Sequence, residues 1–323
     1  MDAVILGIGN AQALFAPEHS PLEAGGDDLL RIIDPQETCV SAFDLSVLRG
    51  DGIFEATTVW KGYPVSLENH LRRLAHSARL MDMPEPNQEA FSRAVDAIVR
   101  RYHAPEPGPM LRILVSRGLD PTTGVGEASG RGALPSVWMF LDGDGKLHEL
   151  DPISLTSLSR GYPSDATSKA PWLLNGAKTL SYAVNQSMHR ECDRRGADDA
   201  ITYTTDGFTL ECPNSSIVAQ YGDRLTTPDP RIGILNGTSQ REFFAWGRQE
   251  GMNVEYKKLS LNELRDADRL YMTHGGWVIP VKALDGRSYD VDPGQVAAIN
   301  DAIHTGRTHD DALTIGPVGD YEL

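Results

Sequence analysis

Leu173-Leu174-Asn175-Gly176-Ala177-Lys178-Thr179-Leu180-Ser181-Tyr182 is the stretch whose reading decides the fold. It sets one lysine just after a glycine, at the start of a run that reads as a helix continuing to Gly196, a good C′ residue. Glu211 follows 33 residues later, at the end of a probable hairpin. Asn236-Gly237-Thr238-Ser239 then opens another helix, where backbone N–H groups gather at an anion-sized site. Alone each feature is weak. Their order and spacing make them specific.

Working outward, the chain of 323 residues is long enough for two domains with real cores. A net charge of −15 opposes nucleic acid or an anionic membrane as partner, while leaving room for a local basic site. Cys39, Cys192 and Cys212 are odd in number and widely spaced, which argues against a disulfide framework or a zinc site and for a reduced cytoplasm. Met1 to Asn10 carries no basic n-region, so no signal peptide is expected. No apolar run approaches the roughly 20 residues that span a bilayer. The histidines are scattered, and no metal is expected. Gly124-Val125-Gly126 lacks a following helix pattern, and Asp142-Gly143-Asp144 lacks the other ligands of a calcium loop.

The first half alternates strand and helix patterns. Phe54 to Val59, Met110 to Ser116 and Val137 to Leu141 read as strands, with Lys61-Gly62 as a turn. A helix begins near Ser66 as N-cap, with Leu67, Leu71, Leu74, Ala78 and Met81 as its apolar stripe. A second runs from Gln88 to Tyr102. The turn signal Asp142 to Gly145, strand-like Ile153 to Leu158 and the loop-rich run 159–171 place a domain junction at about 143–165. The division expected is 1–150 and 151–323. In the second half, Ala200 to Thr205 and Phe208 to Glu211 form a hairpin around Asp206-Gly207, expected as a type I′ turn. Ser215 to Tyr221 and Arg224 to Thr227 flank a tight turn at Gly222-Asp223. Ser260 to Glu263 fits a capping box, and Asp292-Pro293 a helix start. From about Thr305 the chain reads as a loose tail.

A reactive lysine, an acid and a phosphate-sized helix start are the three parts that a pyridoxal 5′-phosphate site needs. Further runs carry a resemblance: Arg49-Gly50-Asp51-Gly52-Ile53-Phe54-Glu55, His70-Leu71-Arg72-Arg73-Leu74 with Ser77-Ala78, Gly176-Ala177-Lys178, Glu211 with Asn214-Ser215-Ser216-Ile217, Leu225-Thr226-Thr227-Pro228, Leu235 to Ser239, and Ile279-Pro280-Val281. Together they span about residues 40–285 and resemble the fold-type IV pyridoxal phosphate enzymes. That family includes branched-chain aminotransferases, D-amino acid aminotransferases and aminodeoxychorismate lyases. The resemblance implies a two-domain α+β fold, D-amino acid aminotransferase-like, with the cofactor at the domain interface and a homodimer whose partner loops complete the substrate pocket.

By the same resemblance Lys178 is the Schiff-base lysine and catalytic proton shuttle, and Glu211 contacts the pyridine nitrogen. Arg73 binds the phosphate. Helix geometry favours it over Arg72, because at about 100° per residue Arg73 lies beside Ser77 at the edge of the apolar stripe. Gly237, Thr238 and Ser239 cap the phosphate, where Ser239 keeps a hydroxyl although the family usually reads Ile-Thr-Arg after the glycine. A plain N-cap role is the alternative, and both roles can hold. Thr273, in Met272-Thr273-His274-Gly275-Gly276-Trp277, resembles a second phosphate-side loop one residue shorter than usual. Tyr182, one turn beyond Lys178 on the same helix face, is placed near the cofactor, and Ser216 stands where asparagine is common. Arg49 and Arg117 are candidates for the substrate carboxylate, with structural ion pairs as their other reading. Ala56 occupies a position where the lyases tend to carry threonine. That favours transamination between an amino acid, branched-chain or similar, and a 2-oxo acid. The alternative is an aminodeoxychorismate lyase releasing 4-aminobenzoate and pyruvate.

Overall fold

The computed structural model describes residues 4–17, 26–103, 108–125, 134–143 and 151–315. Residues 126 and 144–145, part of the rejected glycine and calcium motifs and of the junction turn, lie outside them. The chain divides into two compact units, Met1–Leu147 with Ala177–Tyr182, and His148–Gly176 with Ala183–Leu323. The division at 1–150 and 151–323 assigns Lys178 to the second unit; in the structure its segment packs with the first.

In the first unit, β1 (Val4–Gly9), β2 (Leu30–Ile33), β3 (Gly52–Trp60), β4 (Tyr63–Pro64), β5 (Met110–Ser116) and β6 (Ser136–Asp142) form a sheet ordered β2-β1-β6-β5-β3-β4. Every pairing in it is antiparallel. Period-2 alternation sets the faces. On β5, Leu111, Ile113 and Val115 are buried between half-buried Met110, Arg112 and Leu114. Each such aliphatic side chain, fully buried, contributes about 1.5–3 kcal/mol. The helices Leu67–Leu80 and Gln88–Val99 pack against this unit through Leu71, Leu74, Ala78, Phe91, Val95 and Ile98. Asn87 caps the second helix by accepting from the Ala90 N–H. Ser66 does stand at the N-cap of the first, but with a left-handed backbone (φ 53°, ψ 36°) and no side-chain cap bond. It turns the chain rather than capping by its hydroxyl.

In the second unit, β7 (Ile153–Ser159), β8 (Asp199–Tyr203), β9 (Ser216–Tyr221), β10 (Arg224–Pro228), β11 (Asn253–Lys257), β12 (Arg269–His274), β13 (Trp277–Leu284) and β14 (Arg287–Ser288) form a mixed sheet. Its order is β11-β10-β9-β12-β13-β7-β8, with β14 beside β13. β10 and β11 run parallel, so the helix Thr238–Gln249 is the crossover between them. The core gathers Leu155, Ile201, Ile217, Ala219, Leu259, Leu264, Leu270, Met272, Val281 and Leu284. The Ser260–Glu263 capping box and the Asp292 cap ahead of Pro293 are both formed.

Three expectations are corrected. Residues 177–182 are not helical; the helix starts at Ala183 and runs to Arg195. The free edge of β3 captures the segment instead, as described below. The hairpin turn at Asp206-Gly207 is not type I′, which needs φ > 0 at both central residues. Only Gly207 (φ 88°) is left-handed, and Gly207 N–H donates to Thr204 O while Thr204 N–H donates to Phe208 O. That is a three-residue loop with a glycine bulge. The run 159–171 is loop-rich as expected, with one short helix, Ala166–Lys169. The tail is structured through residue 315: the helix His309–Thr314 is tied down by Arg241, whose Nε and Nη2 donate to Ala312 O and Leu313 O. Among the described residues no helix is long and apolar enough to cross a membrane.

Candidate active site

Lys178 lies in an extended segment on the edge of β3 opposite β5. Thr179 bridges Ile53, Phe54 N–H donates to Lys178 O at 3.0 Å, and Leu180 N–H donates to Gly52 O at 2.8 Å. Lys178 N–H donates to Ser77 Oγ at 3.0 Å. Both peptide groups of Lys178 are thus fixed, one by the sheet and one by the Leu67–Leu80 helix. The chain bends at Leu180, where Tyr182 N–H donates to Leu180 O at 2.8 Å, and this brings Tyr182 back toward Lys178. The amine is buried. Lys178 Nζ stands 4.4 Å from the Phe54 ring centroid and 6.0 Å from that of Tyr182, and the two rings meet edge to face at 5.1 Å. Gly52 cannot be larger, because a Cβ there would meet Val115 O at 2.5 Å and Leu180 Cδ1 at 2.7 Å.

Arg73 is buried and Arg72 is half-buried. Arg73 Nε and Nη2 grip Glu55 in a bidentate pair, both at 2.7 Å, and His70 Nδ1 is 2.6 Å from Glu55 Oε2. Burial pushes the Glu55 carboxyl up, but Arg73 and His70 outweigh it and hold it down at about 2. His70 sits below its ordinary value because burial dominates; Glu55 opposes this, while Arg73 and Lys178 add to it. The three side chains form one buried charged cluster. Glu55 and His70 appear in the quoted sequence runs, but no pattern signal gave them a role. Their pairing depends on β3 lying beneath the helix.

The two substrate candidates part company. Arg117 is committed: Nε to Asp51 Oδ2 at 2.7 Å, Nη2 to Met81 O at 2.6 Å and Nη1 to Asp82 O at 3.2 Å. It fastens the end of β5 to the last carbonyls of the Leu67–Leu80 helix. Arg49 ends the short helix Leu45–Arg49 and is exposed, with Nη1 on the adjacent Leu48 O. Ala56 is half-buried on β3, on the face that carries Phe54.

In the second unit, Glu211, Ser216, Gly237, Thr238, Ser239 and Thr273 come together. Glu211 Oε2 accepts from Leu235 N–H at 3.2 Å, which sets the carboxylate at the approach to the Thr238–Gln249 helix. Gly237 is the N-cap and no side chain caps that helix, so Ser239 does not serve as the plain cap. The first amide bonded within the helix is Arg241, to Gly237 O. The N–H groups before it are not used by the helix itself. A Cβ on Gly237 would lie 2.3 Å from Ser216 Oγ, so only glycine lets the chain pass so close. Ser216 faces Thr273 across β9 and β12, and Thr273 Oγ1 is buried without a hydrogen-bond partner. Gly275 and Gly276, both left-handed (φ 56° and 88°), close a two-residue hairpin between β12 and β13. Gly276 N–H donates to Ser239 Oγ at 2.8 Å.

Residues 52–284 match the family described as amino-transferase class IV. A Mycobacterium tuberculosis protein named bifunctional aminodeoxychorismate lyase / D-amino acid transaminase is 36% identical over 272 residues, covering 81% of this chain and 89% of that protein. Among solved structures, the fold IV-transaminase CpuTA1 from Curtobacterium pusillum matches with a TM-score of 0.83 at 35% identity, covering 96% of this chain and 99% of that one. The PLP-bound form of a hypothetical aminotransferase from Mycobacterium tuberculosis matches with a TM-score of 0.76 at 33% identity, covering 87% and 97%. The α+β architecture is that of fold type IV. With its lysine on the edge of β3 and its anion-ready helix start behind Glu211, the chain belongs to the class IV aminotransferase family.

Proposed function

We propose that this chain is a pyridoxal 5′-phosphate-dependent aminotransferase that moves an amino group between an amino acid and a 2-oxo acid. The observation that carries the proposal is Lys178, a buried amine fixed through both its peptide groups against Phe54. The residues fit the cofactor. Among the described residues Thr273 Oγ1 is a buried hydroxyl lacking a partner, and Gly237 brings the bare helix start close against Ser216 Oγ. Gly237, Thr238, Ser239, Thr273 and Ser216 would hold the phosphate, and Arg73 is assigned to it by the resemblance. Glu211 would hold the proton on the pyridine nitrogen, and Tyr182 would line the ring. When bound, the cofactor supplies an electron sink for charge developing at the substrate Cα.

Lys178 is the base in this reading. Its amine would take and hold the proton from the substrate Cα, and the aromatic wall of Phe54 and Tyr182 would keep water from it. Ala56 supports transfer over elimination, because it offers no hydroxyl at the position where the lyases tend to have threonine. Arg49 is assigned to the substrate carboxylate. Arg117, bound three ways, serves by holding Asp51 and the helix end in place. A homodimer in the cytoplasm belongs to the same proposal. The exposed run Val40, Phe43, Val47 and Leu48 supports the dimer, and the three free cysteines support the compartment.

A second reading is aminodeoxychorismate lyase, which the name of the Mycobacterium tuberculosis relative favours. A single-turnover absorbance screen separates the two. Cofactor-loaded protein is mixed, without acceptor, with L-glutamate, L-leucine, D-alanine and aminodeoxychorismate in turn. Conversion to the pyridoxamine form by an amino acid is the expected result and identifies the donor and its chirality. Pyruvate released from aminodeoxychorismate with an unchanged cofactor would replace the proposal with the lyase.

A further inference from the structure

We infer that His304 is a positioning residue for the phosphate site: by holding the carbonyl of Gly276, the turn residue whose N–H reaches Ser239 Oγ, it fixes Ser239 as a hydrogen-bond donor. The inference rests on the reading of Ser239 as a phosphate ligand. His304 is in the last turn of the helix Pro293–His304, and its Nε2 lies 2.9 Å from Gly276 O. A carbonyl only accepts, so Nε2 carries the proton. The ring is buried and packs edge to face on Trp277 at 4.2 Å. Burial pushes the imidazole down to about 4, so it is neutral at ordinary pH. Four residues earlier on the same helix face, Asn300 clasps Val278, accepting from its N–H at 2.8 Å and donating to its O at 3.0 Å. One helix therefore clips the hairpin at two points.

The consequence falls on Ser239. Gly275 and Gly276 are both left-handed, a turn with little intrinsic preference for one orientation of its peptides. His304 holds the carbonyl of Gly276 and Ser239 Oγ accepts from its N–H, in the preceding peptide group, so the turn residue is pinned on both sides and the N–H stays on Ser239 Oγ. A serine hydroxyl has one proton and two lone pairs. The Gly276 amide occupies a lone pair, and among the described residues the hydroxyl proton meets no acceptor. Ser239 is buried in the first turn of the helix, where the neighbouring backbone groups are also donors. A hydroxyl in that setting, already accepting, is left to donate to an anion. Nothing in the sequence links His304 to this role, since it lies beyond every quoted motif.

The test compares wild type with Ser239→Ala, His304→Phe, His304→Gln and the double variant Ser239→Ala/His304→Phe. Each holoenzyme is resolved and titrated with pyridoxal 5′-phosphate and, separately, with pyridoxal, which lacks the phosphate. His304→Phe is expected to weaken binding of the phosphate form about tenfold, the value of one charge-assisted hydrogen bond, and to leave pyridoxal unchanged. His304→Gln, which keeps a donor, recovers most of the loss. The double variant binds no worse than Ser239→Ala alone. Equal weakening toward both ligands, or additive losses in the double variant, would overturn the inference. If Ser239→Ala weakens the phosphate form and His304→Phe does not, the relay alone fails. If Ser239→Ala has no effect, the phosphate reading of Ser239 fails, and the relay with it.

Discussion

Glu55→Gln tests the buried cluster of Glu55, Arg73 and His70. The substitution keeps the shape but leaves Arg73 as a buried cation without its counter-ion. Removing one partner of a buried pair costs about 3–5 kcal/mol. The pH dependence gives an independent figure. The Glu55 carboxyl titrates near 2 in the folded protein against 4.5 for the ordinary group. The unfolded chain therefore takes up the proton first as pH falls. The stabilisation is complete above pH 4.5 and is lost toward pH 2. A shift of that size corresponds to about 3 kcal/mol, of which about 2 kcal/mol is gone by pH 3. His70, also depressed, sheds stability in the same direction below pH 6.5 and remains in both proteins. The comparison is therefore read below pH 4.5. Urea denaturation at steps from pH 7 to pH 3 should show the variant less stable at pH 7 and the gap closing by about 1.5 kcal/mol between pH 4.5 and pH 3. A gap that stays constant through that window would refute the assignment of a low Glu55 pKa to its pairing with Arg73.

Borohydride reduction of the cofactor-loaded enzyme followed by peptide mapping should place the pyridoxyl group on Lys178, and Lys178→Ala should show neither label nor turnover. Gly237→Ala sets a Cβ against Ser216 Oγ, so affinity for pyridoxal 5′-phosphate should fall by about tenfold to a hundredfold. Ser216→Gly in the same chain should recover part of it, and an unaffected titration would remove Gly237 from the site. Arg49→Ala should raise KM for the amino acid about tenfold at unchanged melting temperature. Arg117→Ala should instead lower the melting temperature by several degrees. The reverse pattern would exchange their roles.

Most strands and helices were legible because their signals are local. The period-2 pattern of Met110 to Ser116, the apolar stripe of Leu67 to Met81, the Ser260–Glu263 box and the Asp292-Pro293 start each depend on neighbours within a few residues. The misreading at Lys178 has a definite cause. Ala177 to Tyr182 is free to be helical on propensity, but the edge of β3 offers Gly52 O and Phe54 N–H, and Ser77 accepts the Lys178 amide. Long-range hydrogen bonding outweighs a local preference worth only tenths of a kcal/mol per residue. At Asp206-Gly207 the dipeptide was compatible with two loops, and the register of Thr204 against Phe208 selected the bulged one. The tail from Thr305 was misread because its anchor, Arg241, lies far back in the chain.

The sequence by itself determined the family, the order of the chemical parts and the residue types a phosphate and a pyridine ring require, because these are carried by short runs of fixed spacing. The tertiary structure decided which side chains meet. Arg73 is joined to Glu55 and His70, Arg117 is spent on Asp51 and a helix end, and His304 is brought to Gly276. The physical reason is that a hydrogen bond or a buried charge pair is satisfied by whatever group the fold places within about 3 Å, and that distance is not written in any local stretch of the chain.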